Sequence, residues 1–179
     1  MNTIKLGGNT SSFDSKMQVE LGKWNTFEIS NDGPEYVGMN LNGTWSRENM
    51  TIQANMNSYF RLDQISLGGY AEGQLNTTEV QDLNFEGCIE EFYFGPDPIN
   101  LSVDSPGAYG VQPGCTEGEI NLVTFPAANP GYMQLQSFDI QDQIEISFMF
   151  RTSQSRALLL YMHDTPGMEF SFNFFYHHD

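Results

Sequence analysis

Hydrophobic and polar residues alternate along most of this chain. In Lys23–Ser30, Phe27 and Ile29 fall on one face while Glu28 and Ser30 fall on the other. That is the two-residue period of a half-buried strand. Similar runs occupy Tyr36–Leu41, Phe60–Leu67, Ile89–Phe94, Glu119–Phe125, Tyr132–Leu135, Ile144–Arg151, Ala157–Met162 and Met168–Tyr176. Turn formers separate them: Asn31-Asp32-Gly33-Pro34, Asn42-Gly43, Gly68-Gly69, Gly95-Pro96, Asn129-Pro130-Gly131 and Thr165-Pro166-Gly167. Many short strands with frequent turns and no helical spacers predict an all-β, antiparallel sandwich.

Composition agrees. Six Ala and three Lys stand against 17 Gly, 15 Asn and 8 Pro, a mixture poor in helix formers. The 179 residues suit one domain, or two incomplete ones, and 39% apolar residues suffice for a packed core. Seven Lys and Arg against 23 Asp and Glu leave a net charge of −16. Such a surface repels polyanions, so nucleic acid and heparin are poor partners. No apolar run approaches the roughly 20 residues that span a bilayer, so no membrane insertion by a helix is expected. Met1–Gly8 lack the charged start and apolar stretch of a signal peptide. The expectation is an intracellular chain or the middle of a longer one.

Cys88 and Cys115 stand with 26 residues between them, without the paired spacing of a zinc site. Two readings stay open on spacing alone: two unrelated buried thiols, or one disulfide stabilising by roughly 3 kcal/mol. Five N-x-S/T triplets occur, at Asn9, Asn42, Asn49, Asn76 and Asn100, where about two would arise by chance from 15 Asn and 25 Ser and Thr. Any one of them alone reads as a turn asparagine sooner than as a glycan site; together with an even cysteine count they favour an oxidising compartment.

Candidate chemistry is sparse. His163, His177 and His178 lie in the last 17 residues, and neighbours on a strand point to opposite faces. There is no nucleophile elbow, P-loop, dinucleotide fingerprint or EF-hand. Glu90-Glu91 and the Asp139, Asp142 and Glu145 group are single-sign clusters that read as solvated faces. The sequence predicts no enzyme.

Three stretches, taken in order, carry a family resemblance. Leu21-Gly22-Lys23-Trp24-Asn25-Thr26-Phe27-Glu28-Ile29 resembles a strand of laminin G-like modules. Leu67-Gly68-Gly69 followed by Phe85-Glu86-Gly87-Cys88-Ile89-Glu90-Glu91 is similar to their glycine and Gly-Cys-Ile signature. Gly110-Val111-Gln112-Pro113-Gly114-Cys115 resembles their closing segment, and this implies that Cys115 pairs with Cys88. Pro130-Gly131-Tyr132-Met133-Gln134-Leu135, Ser147–Thr152 and Leu158–Tyr161 look like the opening strands of another module. The closing segment, short spacer and Pro-Gly-Tyr opening are most similar to the junction between the second and third of the five G-like modules of laminin alpha chains. Neurexin-type and contactin-associated proteins are the nearest alternatives.

The resemblance implies a jelly-roll, concanavalin-like fold with a division of the chain. Residues 1–115 resemble the C-terminal part of one module, 116–130 a linker and first strand, and 131–179 the N-terminal part of the next. Within the family the opening strands come first; here they come last, so the strands are in circularly permuted order. Thr3–Leu6 and Phe170–Tyr176 would be neighbours across one hairpin. Permutation is tolerated where old ends lie close together, so 116–179 are expected to fold back onto 1–115 and complete one sandwich.

The function implied is non-enzymatic adhesion in the extracellular matrix of basement membranes: a secreted glycoprotein engaging integrin-type receptors and neighbouring modules. No cofactor is implied except calcium, for which Glu169, Asp164 and Asp63 are candidate ligands. Asn57 and Phe60 stand where the resemblance expects a carboxylate, which leaves that set thin for a hard cation. The competing reading is a lectin-like jelly roll, with Trp24 and Trp45 as stacking candidates beside carboxylates, although Trp24 falls on the family's core strand.

Overall fold

The computed structural model describes residues 2–6, 9–13, 17–31, 36–49, 60–62, 64–69, 84–102, 104–105, 107–115, 122–127, 131–140, 145–163 and 169–175. Every regular element among them is a strand. A seven-stranded sheet runs in the order β10 (Gly107–Tyr109), β13 (Tyr132–Leu135), β7 (Gln64–Leu67), β16 (Arg156–His163), β17 (Glu169–Phe175), β1 (Asn2–Leu6) and β2 (Asn9–Phe13). An eight-stranded sheet runs β11 (Gln112–Pro113), β12 (Leu122–Phe125), β8 (Gly87–Phe94), β15 (Glu145–Arg151), β3 (Trp24–Asn31), β4 (Tyr36–Leu41) and β5 (Thr44–Asn49), with β9 (Asp97–Pro98) on β8. A small ladder joins β14 (Phe138–Ile140) to β6 (Phe60–Leu62). All these ladders are antiparallel, giving a sandwich of the jelly-roll type.

Strands distant in sequence interleave in both sheets. β15 lies between β3 and β8, β16 lies between β7 and β17, and β13 lies between β10 and β7. The expected neighbours near the two ends do pair, with Leu6 opposite Phe170 and Ile4 opposite Phe172.

Alternation explains the core. Phe27 and Ile29 of β3, Met39 and Leu41 of β4, and Ile146, Phe148 and Phe150 of β15 point between the sheets and are buried. Ile65 and Leu67 of β7 meet them from the other side. Phe148 is wedged between Phe27, at 5.1 Å between ring centres, and Phe92, stacked at 5.6 Å. Phe85 meets Phe125 and Phe150 edge-on at 5.5 and 6.2 Å, arrangements that suit the aromatic quadrupole. β16 departs from alternation, since Ala157–Met162 are buried on both sides. A continuous apolar run is what a strand covered on both faces requires.

Loops after β15 tie it to the earlier part of the chain. The Thr152 hydroxyl donates to the Glu86 carbonyl at 2.6 Å and accepts from the Gln154 amide at 3.0 Å. The Gln154 side chain accepts from the Glu86 N–H at 2.7 Å and donates to the Asn84 carbonyl at 3.3 Å. Gly87, at φ 147°, brings its backbone against the Arg151 carbonyl so closely that no side chain fits there.

Two expectations change. The Phe60–Leu67 run is two strands in different sheets, β6 and β7, rather than one. Asp63, which lies outside the described residues, separates them in sequence, and the two successive polar residues Asp63-Gln64 break the apolar alternation. Of the Glu119–Phe125 run, Leu122–Phe125 is strand, and 119–121 lie outside the described residues. Strands β2, β5, β9, β10, β11 and β14 were not expected from alternation, being short or mostly polar.

Native hydrogen exchange should show comparable protection for the amides of Trp24–Ser30 and Glu145–Arg151, because they share one ladder. Phe150→Ala should lower stability by about 3–5 kcal/mol in urea unfolding. Protection confined to one of these strands would contradict the interleaved sheet.

Candidate functional site

The alternate residues of the eight-stranded sheet form its outward face. In register, Trp45, Asn40, Glu28, Ser147 and Tyr93 stand side by side on β5, β4, β3, β15 and β8. At the usual strand spacing the row is about 19 Å long. Trp45 and Tyr93, at its ends, are 56% and 37% exposed. Gly38 leaves room for the indole, which lies 3.4 Å from where a β-carbon would stand. Ser147 and Thr26 are small, so the middle of the row sinks into an open depression of about 180 Å³, rimmed by Glu28, Asn40, Glu91, Tyr93 and Met149.

A β-bulge shapes the rim. Between the Ser147–Tyr93 and Met149–Glu90 pairs, Glu91 and Phe92 together oppose Phe148. Phe92 keeps its place in the core, and the extra residue, Glu91, turns outward at φ 50°. The Asn40 amide donates to Glu28 at 3.4 Å, while its Oδ1 is buried and meets no hydrogen-bond donor among the described residues.

Two rows along the same face stand Trp24, Arg151 and Cys88. Trp24 is half-buried on the outward face of β3, not in the core, and the Arg151 guanidinium lies 5.0 Å from its ring centre. One face of its ring is therefore covered, which leaves Trp45 as the more exposed indole. Arg151 pairs in register with both Trp24 and Cys88. Cys88 is joined to Cys115, with 6.0 Å between their α-carbons. The bridge spans β12, whose Thr124 hydroxyl donates to the Gly114 carbonyl and lies 3.4 Å from the Cys115 sulfur.

Next to Trp24 on β3, Asn25 is buried with every amide atom used. It accepts from the Glu20 N–H at 2.7 Å and from the Asn42 side chain at 2.8 Å. It donates to the Glu20 and Lys23 carbonyls at 3.0 and 2.9 Å. Asn42 and Gly43, at φ 52° and 80°, make the tight β4–β5 hairpin turn. The Asn42 Oδ1 accepts from the Thr26 N–H at 2.9 Å. Asn42 thus acts as a turn residue, and the nitrogen that a glycan would occupy is engaged. Nearby, a hydrogen bond to Glu20 at 2.6 Å, aided by its charge, holds the exposed Lys23 ammonium above its ordinary pKa.

Of the other glycosylation candidates, Asn100 sits in a turn where its Oδ1 accepts from the Ser102 N–H at 3.1 Å. Asn9 opens β2, Asn49 closes β5, and Asn76 lies outside the described residues. Of the calcium candidates, Asp63 and Asp164 lie outside the described residues. Glu169 begins β17 opposite His163, which in turn pairs with Gln64. No group of three or more His, Cys, Asp or Glu that could hold a metal occurs among the described residues. His177, His178 and Asp142 lie outside them; Glu145 is exposed at the start of β15 and Asp139 is on β14. The outward row was missed from the sequence, because its five residues come from five strands. The polar phase of each alternating run was the available signal.

An all-β jelly-roll sandwich with its cysteines joined belongs to the class of modules suited to an oxidising compartment. No protein-family model matches the chain, and no solved structure matches it. The chain is 24% identical over 116 residues, 65% of its length, to the laminin subunit alpha of Drosophila melanogaster. It spans about 3% of that protein.

Replacing both cysteines by serine should lower stability by about 3 kcal/mol, roughly 6–12 °C in Tm, by calorimetry. Asn42→Ala should cost about 1–3 kcal/mol, since it leaves Asn25 short of a donor and puts alanine at positive φ. A stability within 0.5 kcal/mol of the parent, as a rough threshold for surface changes, would contradict the role given to Asn42.

Proposed function

We propose that the chain is a non-enzymatic adhesion module of the laminin G-like type from a secreted, basement-membrane laminin alpha-like protein. The similarity to a laminin subunit alpha over 116 residues carries this reading. The places of the signature residues support it. The Trp24–Ile29 stretch forms β3, Gly87-Cys88 opens β8 against the Arg151 carbonyl, and Cys115 closes the disulfide.

In this reading 1–115 are the back part of one module and 131–179 the front part of the next, joined through 116–130. β15 and β16 would take the places of opening strands that the family supplies earlier in each module, which is how a permuted order completes a sandwich. The parent protein would present the module to integrin-type receptors beside its neighbouring modules. With a net charge of −16, heparin is not among its partners.

Two experiments test the reading. Rejoining the chain as 116–179 followed by 1–115 should give a protein of similar Tm, because β17 and β1 are already antiparallel neighbours. A rearranged chain that fails to fold would overturn the permutation. Surfaces coated with the folded protein should support attachment of integrin-bearing cells, reduced several-fold by chelating divalent cations. Equal attachment to an albumin coat would overturn the adhesion role.

A further inference from the structure

We propose that the outward face of the eight-stranded sheet docks a basic peptide segment, with one arginine or lysine side chain entering the depression between Glu28, Glu91 and Tyr93. The inference does not depend on kinship with laminins.

The depression is lined by two carboxylates, Glu28 and Glu91, and by no cationic side chain. Among the described residues, Glu28 receives only the long hydrogen bond from Asn40, and the exposed Glu91 side chain has no hydrogen bond or ion pair. The Asn40 Oδ1 is buried and unmatched among them. A guanidinium offers five N–H donors and an ammonium three, and neither brings an acceptor to waste. The Tyr93 ring at one side supplies a face for the cation. A neutral sugar would bring no positive charge to the two carboxylates.

Three further observations point the same way. Glu91 stands at φ 50°, a conformation glycine adopts without strain and other residues at a cost, and that conformation sets a carboxylate on the rim. The same face already binds a guanidinium internally, where Arg151 covers Trp24. Of the other arginines, Arg47 lies on β5 beside the row, so it flanks the face without entering the rim. Finally, 23 acidic residues against seven basic ones create a field that draws cationic segments to the surface.

The test uses the full chain with methionine methyl groups labelled in carbon-13, and the Met149 signal assigned through Met149→Leu. Titration with acetyl-Gly-Arg-Gly-Arg-Gly-amide should shift the Met149 methyl saturably and leave the buried Met39 and Met133 unmoved. The peptide with Gln for Arg should cause no shift. The double variant Glu28→Gln, Glu91→Gln should weaken binding at least fivefold, and Glu20→Gln with Asp97→Asn, which removes the same charge elsewhere, less than twofold. Glu91→Gly should also weaken binding while keeping or raising Tm, which separates recognition from folding. Equal weakening in the two double variants would reduce the effect to diffuse attraction and overturn the site. So would a Met149 shift with maltotriose but not with the arginine peptide, or no saturable shift with either.

Discussion

Everything in this molecule depends on the placement of one strand. β15 is seven residues long, pairs with β3 on one side and β8 on the other, and sends Ile146, Phe148 and Phe150 into the core. Without it, the eight-stranded sheet would have two open edges at its centre, and the aromatic stack of Phe27, Phe148 and Phe92 would lose its middle ring. The hydrogen bonds of Thr152 and Gln154 to residues 84–86 follow from the same placement, as does the bare backbone of Gly87. The order of elements in the chain is thus secondary to which strands can share ladders.

The same strand couples the interior to the surface. Its inward residues fill the core, and its outward residues, Ser147 and Met149, supply the floor and one wall of the depression. The bulge opposite Phe148 works in both directions: it lets Phe92 stack in the core and turns Glu91 outward. A substitution that repacked Phe148 would therefore be felt on the outward row, although no atom of the row had changed. The disulfide acts in a separate place. It clamps β8 to the segment beyond β11 across β12, starting from Cys88, which pairs with Arg151 at the end of β15.

Much of the fold was legible because strand alternation is local. Phe27 and Ile29, Met133 and Leu135, and Ile146, Phe148 and Phe150 show their core face in sequence, and the structure buries them. Polar strands such as Thr44–Asn49 carry no such mark; they are edge or near-edge strands held by their neighbour. The site was legible only in pieces. Trp45 stood out as a stacking candidate, but that it and Tyr93 end one row follows from registers set by hairpins and by long-range pairing. Trp24 lies on the strand that the resemblance marks as a core strand, and its parity with Glu28 puts its side chain on the outward face. The role of Glu91 depends on a bulge, which alternation cannot show.

One consequence of the β1–β17 ladder concerns force. The strands run antiparallel, with Thr3 beside Asn173, so the start of β1 and the end of β17 lie at the same end of their ladder. Tension applied through those two points pulls along the hydrogen bonds, which stand perpendicular to the strands, rather than shearing the strands past one another. The bonds then carry the load one after another, as in a zipper. A sandwich loaded this way yields first at β1 and β17, while β15, the disulfide and the outward row are still in place.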